Sequence, residues 1–339
     1  MVLLRTEFFY KSKKMLRLFN PELFQGNLQK KNYFEGWYFK HVSKDLGHVY
    51  SFIPGISLSE NDSHSFIQVI NGVSGETQYL TYPLNEFTWD KNKLSLKVGS
   101  SVFTENYIDL NIENENIKVK GHLNYFNNIK YPKSLFSPGI MGWYSYVPFM
   151  ECKHGIVSVN HEISGVLKID NVNIDMTEGK GYIEKDWGSS FPEAWIWIQS
   201  NNFSNTDTSF TFSVAKIPWL GKYFPGFISF LYFKKRFYLF SSYNKSTLTA
   251  ISYDGKTLNF TLRNNYAMLR VTAVKNTSGE LLAPVSGKMA RRIKESIDSS
   301  LIISLFDNDD NLIYNDSATR AGLEIIDKIF EYLDVNTGR

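Results

Sequence analysis

Residues 64–82 read HSFIQVINGVSGETQYLTY, and this stretch predicts a β-hairpin. Apolar and polar side chains alternate on both sides of Asn71-Gly72, which is the pattern of a strand whose two faces meet different surroundings. An Asn-Gly pair favours the type I′ turn that joins two antiparallel strands. The same arrangement recurs in residues 248–262, LTAISYDGKTLNFTL, around Asp254-Gly255. Antiparallel hairpins are therefore the expected unit of the fold.

Strand patterns continue through residues 93–126, 155–169 and 226–243. Turn residues separate the strands at intervals of roughly 8 to 12 positions, as in β-sandwiches and β-barrels. Phe, Tyr and Trp make up 16% of the chain, and aromatic residues favour strands. The sequence shows no alternation of strands with helices and no Gly-rich phosphate loop. We therefore predict an all-β protein.

Repeated aromatic motifs indicate two barrels. EGWYF at residues 35–39 resembles MGWYSY at residues 141–146, and DWGSSFPEAWIW at residues 186–197 has the composition of a strand that opens another barrel. We expect two antiparallel β-barrels packed together, the first at residues 25–180 and the second at residues 181–339.

Short helices are predicted at the two ends of the chain. Residues 1–24 are expected to form an extension with a short helix. Residues 1–19 of this extension either pack on the domain or lie on a membrane surface. Residues 1–19 lack the clean apolar segment and cleavage site of a signal peptide. Leu323, Ile326, Phe330 and Leu333 recur at helical spacing near the C-terminus.

Charge and cysteine content exclude several classes of function. A net charge of +3 is too small to indicate a nucleic-acid partner. Cys152 is the only cysteine, so no intramolecular disulfide forms, which fits a cytoplasmic location. No apolar run reaches the roughly 18 residues that a transmembrane helix needs. The six histidines are scattered, and Cys152-x-His154 supplies only two ligands, so we expect no metal site.

The candidate site lies in residues 179–203, GKGYIEKDWGSSFPEAWIWIQSNNF. Because side chains alternate along a strand, the first half places three polar side chains on one face: Tyr182, Glu184 and Asp186. The strand that follows does the same with Trp195, Trp197 and Gln199. If the two faces line one interior, carboxyl groups and indole rings meet in a poorly hydrated cavity.

Such an arrangement suits chemistry on an alkene. Burial and a neighbouring carboxylate both raise the pKa of a carboxyl group, which lets it act as a general acid near pH 7. Indole faces stabilise a nearby cation by roughly 2 kcal/mol when desolvated. Alternatively, Glu184 and Asp186 cap turns or pair with lysines, and the tryptophans belong to the core.

Three further motifs carry candidate residues. YFEGWYFKH, at residues 33–41, places Glu35 and Trp37 on one strand face, as a second acid among aromatic rings or as a buried ion pair. His161 falls on an apolar strand face, where it relays a proton or serves as a hydrogen-bonded core histidine. Trp143 and Tyr144 are expected to form part of the cavity wall.

These motifs resemble the tocopherol cyclase family. The likeness rests on YFEGWYFK (33–40), GWYSYVPFMECKHGIVSVNHEISGVL (142–167) and residues 179–203, and it covers residues 21–203. The family is similar to the carotenoid 1,2-hydratases, whose pattern of glycines, tyrosine, acid and Trp-Gly matches residues 179–188. By this match Tyr182, Glu184 and His161 take the place of the hydratases' catalytic residues. The match departs from the hydratases at two positions, where Glu184 replaces an Asp and Ile163 replaces an aromatic residue.

The resemblance implies a pair of lipocalin-like barrels and acid-catalysed cyclisation or hydration of a prenyl alkene, with no redox cofactor or metal. The expected catalytic residues are Glu184, Asp186, His161 and Tyr182. The expected ligand-binding residues are Glu35, Trp37, Trp143, Tyr144, Trp187, Trp195, Trp197 and Gln199. The expected partner is a hydrophobic small molecule, such as a prenyl quinol.

Two other functions fit the same residues. A carrier would bind a prenyl lipid in the same cavity and release it unchanged. A carbohydrate- or peptide-binding module would instead present its tryptophans to solvent.

Overall fold

The computed structural model describes residues 17–148, 150–219 and 221–333. Within these ranges the chain forms twenty-two β-strands and three short 3₁₀ helices, at Leu84–Glu86, Gly142–Tyr146 and Asp327–Glu331. No helix in these ranges has both the length and the hydrophobicity to cross a bilayer. The all-β prediction is confirmed.

Strands β1 to β12 form the first antiparallel sheet. They are β1 (Tyr33–Val42), β2 (Val49–Leu58), β3 (His64–Asn71), β4 (Thr77–Pro83), β5 (Phe87–Trp89), β6 (Ser95–Val98), β7 (Ser101–Thr104), β8 (Tyr107–Glu113), β9 (Lys118–Ile129), β10 (Cys152–Ile169), β11 (Val172–Asp175) and β12 (Gly179–Gly188). Their order is β4-β3-β2-β1-β12-β10-β9-β8-β7-β6-β5, with β11 paired to β10. Strand β12 therefore lies between β1 and β10, at the middle of the sheet.

Strands β13 to β22 form the second antiparallel sheet. They are β13 (Trp195–Ser200), β14 (Ser209–Trp219), β15 (Lys222–Phe233), β16 (Arg236–Ser241), β17 (Thr247–Tyr253), β18 (Thr257–Arg263), β19 (Met268–Val274), β20 (Gly279–Val285), β21 (Lys288–Phe306) and β22 (Leu312–Ile325). Their order is β16-β15-β14-β13-β22-β21-β19-β18-β17, with β20 paired to β21. The predicted architecture of two packed, barrel-like antiparallel sheets is confirmed.

Each sheet curves around a core of its own, and a third cluster of buried side chains lies between the sheets. Strand β1 supplies two of the three clusters. Trp37 and Phe39 belong to the core of the first sheet, whereas Tyr38 belongs to the cluster between the sheets. Because alternate residues of a strand face opposite ways, one strand connects the interior of its sheet with the seam.

The hairpin predicted at residues 64–82 forms, but its turn is longer than a two-residue loop. Strands β3 and β4 pair up to Ile70↔Thr77, and Asn71 donates its backbone N–H to the carbonyl of Glu76 at 2.9 Å. The left-handed residue of this turn is Gly75, with φ of +75°. The predicted type I′ turn at Asn71-Gly72 is therefore wrong.

The predicted C-terminal helix is shorter than its periodicity indicates. Leu323 lies in β22, and only the single turn Asp327–Glu331 is helical. Strand β22 ends in a run of residues buried on both faces, and such a run imitates helical spacing. Most of the N-terminal helix predicted within residues 1–24 falls on residues 1–16, which lie outside the described residues.

The chain passes from one sheet to the other between Gly188 and Trp195. The boundary expected near residue 180 falls inside β12, whose backbone pairs with β1 and β10 of the first sheet. The division of the chain into domains stays a prediction.

Candidate active site

A cavity of about 180 Å³ lies at the seam between the two sheets, and its walls are mostly apolar. One histidine and four carboxyl side chains face it: His154, Glu184, Asp186, Glu295 and Glu324. The aromatic lining comprises Phe34, Tyr38, Phe66, Tyr144, Phe191, Trp195, Trp197, Phe224 and Phe227. The expected meeting of carboxyl groups and indole rings in one hollow is thus present in the structure.

The first acidic cluster lies on β10 and β12, in the first sheet. His154 pairs in register with Asp186, and its Nδ1 is 3.0 Å from the Asp186 carboxylate. The other ring nitrogen, Nε2, is 3.7 Å from Oε2 of Glu184. Tyr182 donates its hydroxyl to the same Oε2 at 2.6 Å, and Trp197 of the second sheet donates its indole N–H at 3.2 Å.

Burial sets the protonation of this cluster. Burial raises the pKa of Glu184 to about 7, against the opposing effect of His154. Burial alone would lower the pKa of His154, but the carboxylates of Asp186 and Glu184 outweigh it and raise that pKa to about 9. Near pH 7, a histidinium therefore lies beside a carboxyl group that is close to half protonated.

A second acidic cluster lies on β21 and β22, in the second sheet. Glu295 and Glu324 are cross-strand neighbours. Tyr38 of the first sheet donates its hydroxyl to Glu295 at 2.8 Å, and Trp195 donates its indole N–H to Glu324 at 2.5 Å. Burial first, and then the neighbouring Glu324, raise the pKa of Glu295 well above its usual range, and burial raises that of Glu324 to about 7. The pair therefore holds at least one proton at neutral pH.

Sequence reasoning missed the second cluster and His154 as members of the site. Glu295 carried a usable signal, because Ile293 and Ile297 flank it at the two-residue period of a buried strand face. His154 was weighed only as a metal ligand together with Cys152. Its register with Asp186 depends on how β10 and β12 pair, which the sequence does not display.

The indole rings of Trp195 and Trp197 line the cavity as expected, and so does Tyr144. Tyr38 packs its ring edge against Trp197, with 5.4 Å between centroids. Trp143 lies outside the cavity, stacked on Tyr144 at 4.2 Å and 44% exposed. Tyr182 is fully buried behind Glu184, where its role is to donate a hydrogen bond.

Glu35 and Trp37 do not face the cavity, although the sequence assigned them to ligand binding. Phe34, Gly36 and Tyr38 are the β1 residues that line it, so the alternate residues point into the first core. Glu35 forms a fully buried salt bridge with Lys185 there. Glu35 and Trp37 therefore belong to the packing of the first sheet, and we leave both residues out of the proposed site.

His161, Trp187 and Gln199 also lie off the cavity wall. His161 is buried against Tyr125, with ring centroids 4.3 Å apart, and its Nδ1 is 2.7 Å from the Ser158 hydroxyl. Burial lowers the pKa of His161 well below its usual range, so its ring is neutral. Gln199 accepts a hydrogen bond from Lys40 at 3.0 Å, and Trp187 packs beside the ammonium of Lys185.

His154, Glu184 and Asp186 also have the donor atoms for a cation, since one ligand atom of each lies within 4.8 Å of the others. A metal on Nε2 of His154 would compete with the proton that this ring retains up to a pH of about 9. The absence of a metal site stays a prediction.

Comparisons with known proteins address the family and the fold. The family model described as "Tocopherol cyclase-like" matches residues 126–326. Two plant proteins, "Probable tocopherol cyclase, chloroplastic" of Oryza sativa subsp. japonica and "Tocopherol cyclase, chloroplastic" of Zea mays, are each 30% identical to the chain over 74 residues. Those residues make up 22% of this chain and only 16% of either plant protein.

Solved structures share the fold at low sequence identity. The crystal structure of CghA with Sch210972 aligns with a TM-score of 0.54 at 9% identity, over 86% of this chain and 88% of that protein. Since the family model spans more than half of the 339 residues, this protein belongs to the tocopherol cyclase-like family.

Proposed function

We propose that this protein is a cofactor-independent enzyme that protonates an alkene of a prenyl quinol or a related lipid and then closes a ring onto the resulting cation. Water in place of the internal phenol oxygen would make the same reaction a hydration. The observation that carries the proposal is the meeting of carboxyl groups with raised pKa values and two indole rings in one apolar cavity.

Glu184 is the proposed acid. Its pKa of about 7 matches a general acid that works at neutral pH. Tyr182 and Trp197 both donate to Oε2, which leaves Oε1 to carry the transferable proton. The same two donors, with the histidinium of His154 at 3.7 Å, stabilise the carboxylate that remains after transfer. Asp186 holds the histidine ring in position.

The electron balance needs no further reagent. The alkene takes the proton from Glu184, and its more substituted carbon becomes a tertiary cation facing Trp195 and Trp197. The phenol oxygen supplies a lone pair to that carbon, and its O–H bond breaks. The Glu295–Glu324 pair accepts the released proton, since Glu324 is close to half ionised near pH 7. Solvent exchange then restores both groups, so the net reaction is an isomerisation.

The test is turnover of a prenylated hydroquinone by the purified protein, in the wild type and in Glu184→Gln. Loss of a general acid lowers turnover by roughly 10² to 10⁴-fold. Turnover should also fall as pH rises through about 7, because Glu184 then loses the proton it must donate. Glu60→Gln, a change at an exposed acid in the loop between β2 and β3, serves as the matched control.

If Glu184→Gln turns the hydroquinone over as fast as the wild type, Glu184 is not the acid. If the wild type binds the hydroquinone and mass spectrometry recovers it unchanged, the carrier function replaces the enzymatic one. The third function considered, a carbohydrate or peptide module with solvent-facing tryptophans, receives no support from Trp195 and Trp197, which are buried.

A further inference from the structure

Large apolar side chains are exposed on two segments that also contribute residues to the cavity wall. Their exposed fractions run from 36% to 83% in a set that we call the mouth surface: Leu135, Phe136, Trp143, Tyr146, Trp219 and Tyr223. All six come from two segments, the connection between β9 and β10 and the β14–β15 hairpin. Met141, Tyr144 and Phe224 of the same segments line the cavity, so the mouth surface is continuous with the cavity wall.

Side-chain contacts join the two segments into one surface. Trp143 lies edge-on to Trp219, with 6.3 Å between ring centroids, and Tyr144 lies edge-on to the same indole at 6.5 Å. Within the first segment, Tyr146 donates its hydroxyl to the backbone carbonyl of Leu135. These contacts place partly exposed aromatic rings of both segments next to one another. Contiguous exposed apolar surface of this kind marks an interaction site.

The chemistry of the surface fits the boundary of a lipid bilayer. Tryptophan and tyrosine concentrate at that boundary because their rings are apolar and their N–H or O–H groups remain hydrated. The two segments, residues 130–153 and 217–224, contain four lysines and one acidic residue, and two of these lysines, Lys130 and Lys133, pair with Glu105 and Glu22 outside the segments. Lys153 donates to the carbonyl of Ser145, and Lys222 pairs in register with Trp219, so positive charge stands beside the aromatic rings. Such lysines favour anionic headgroups.

The size of the cavity also favours contact with a bilayer. At about 180 Å³ it is little larger than a cavity of about 150 Å³ that accommodates benzene. A ligand with a ring-sized reacting end and a long apolar tail would leave its tail at the opening, against the mouth surface. A bilayer is a solvent in which such a tail stays covered.

We propose that the mouth surface docks on the interfacial region of a bilayer that contains anionic lipid, and that the cavity opens toward the membrane. This surface differs from residues 1–19, for which the sequence indicated a possible membrane contact. The docking does not depend on which reaction, if any, follows inside the cavity.

Vesicle flotation tests the proposal with the full chain. Vesicles of phosphatidylcholine alone and of phosphatidylcholine mixed with phosphatidylserine are compared at low and high salt. The wild type should float with the mixed vesicles and bind them less at high salt, because screening weakens the contribution of the lysines. The double variant Phe136→Ser/Trp219→Ser should lose at least about tenfold in partitioning, since two large apolar side chains no longer enter the interface.

The matched control is Val172→Ser/Tyr266→Ser, which removes two side chains that are 60% and 75% exposed and do not line the cavity, one at the start of β11 and the other in the loop between β18 and β19. It should float as the wild type does. Circular dichroism and thermal unfolding check that both double variants are folded. Absence of wild-type flotation, or equal loss in both double variants, would overturn the proposal. A dimer that the mouth variant alone dissociates in analytical ultracentrifugation would assign the surface to self-association instead.

Discussion

Lys185 and Glu35 form an ion pair with no exposed surface on either side chain, and replacing Lys185 by Met tests its role. The Glu35 carboxylate also accepts the Tyr33 hydroxyl at 2.5 Å and the backbone N–H groups of Gln25 and Gly26 at 2.7 and 3.0 Å. Lys185 donates to the backbone carbonyl of Pro21 at 2.9 Å. The pair therefore attaches residues 21–26 to the centre of the first sheet.

The expected cost follows from this burial. Lys185→Met leaves the Glu35 carboxylate in a site without water and without its cation, and breaking a buried pair from one side costs about 3–5 kcal/mol. For 339 residues the unfolding entropy is about 0.7 kcal/mol per degree, so the melting temperature should fall by about 4–7 °C. Lys44→Met is the matched control, because the Lys44–Glu178 pair is 64% and 68% exposed and is worth at most about 1 kcal/mol.

Urea unfolding followed by circular dichroism gives the free energy of unfolding of both variants, and thermal unfolding gives their melting temperatures. Titration with a prenylated hydroquinone at low temperature gives the affinity of the folded protein. Lys185→Met should lose stability and keep the affinity of the folded protein, because the pair lies on the face of β1 opposite the cavity. A stability loss no greater than that of Lys44→Met would refute the structural role. Weakened affinity at unchanged stability would instead return Glu35 to the ligand site that the sequence indicated.

Two other substitutions probe the cavity itself. A Cβ at Gly322 would lie 2.5 Å from Cζ3 of Trp197, so Gly322→Ala should displace the indole and loosen its hydrogen bond to Glu184. Ligand binding should weaken by about tenfold. An affinity equal to that of the wild type in a fluorescence titration would contradict this prediction. Glu324→Gln should stabilise the protein increasingly as pH rises from about 4.5 to about 7. The carboxyl group of Glu324 binds its proton more tightly in the folded state than in the unfolded state, so the wild type loses stability over this range. The loss reaches roughly 3 kcal/mol, and an amide at this position does not incur it. A stability difference that is the same at pH 4 and pH 8 would argue against a raised pKa at Glu324.

Local alternation predicted the part of the site that lies within one stretch of sequence. Glu184 and Asp186 share a face with Tyr182, and Trp195 shares one with Trp197, because each set belongs to a single regular strand. Those positions required no knowledge of which strands pair. The positions of the acids of the second sheet did require that knowledge, since Glu295 and Glu324 face the same cavity as Glu184 only because the two sheets dock, and both lie more than a hundred residues from Glu184.

Two errors have specific physical causes. The segment at residues 33–41 is apolar on both faces, so its pattern does not tell which face meets the ligand, and Tyr38 rather than Glu35 lies on the cavity side. In β10 the register with β12 shifts between Ile156 and Ser158 and again between Ser158 and His161. A bulge moves later side chains to the other face. Alternation counted across these shifts therefore fails for Val159, which lies in the cluster between the sheets although Val157 and Ile163 lie in the first core. His161 faces that core, where it contacts Tyr125.

Two of the hydrogen bonds to the acidic clusters cross the seam, from Tyr38 to Glu295 and from Trp197 to Glu184. Each acidic cluster thus accepts a hydrogen bond from a side chain of the opposite sheet, and neither sheet alone supplies every donor to its own cluster. A slip of a single ångström between the halves would stretch both bonds together and leave two buried acids with fewer donors. The proposed activity therefore requires the assembled pair, and we expect it to be lost when the two halves move apart even if each half stays folded.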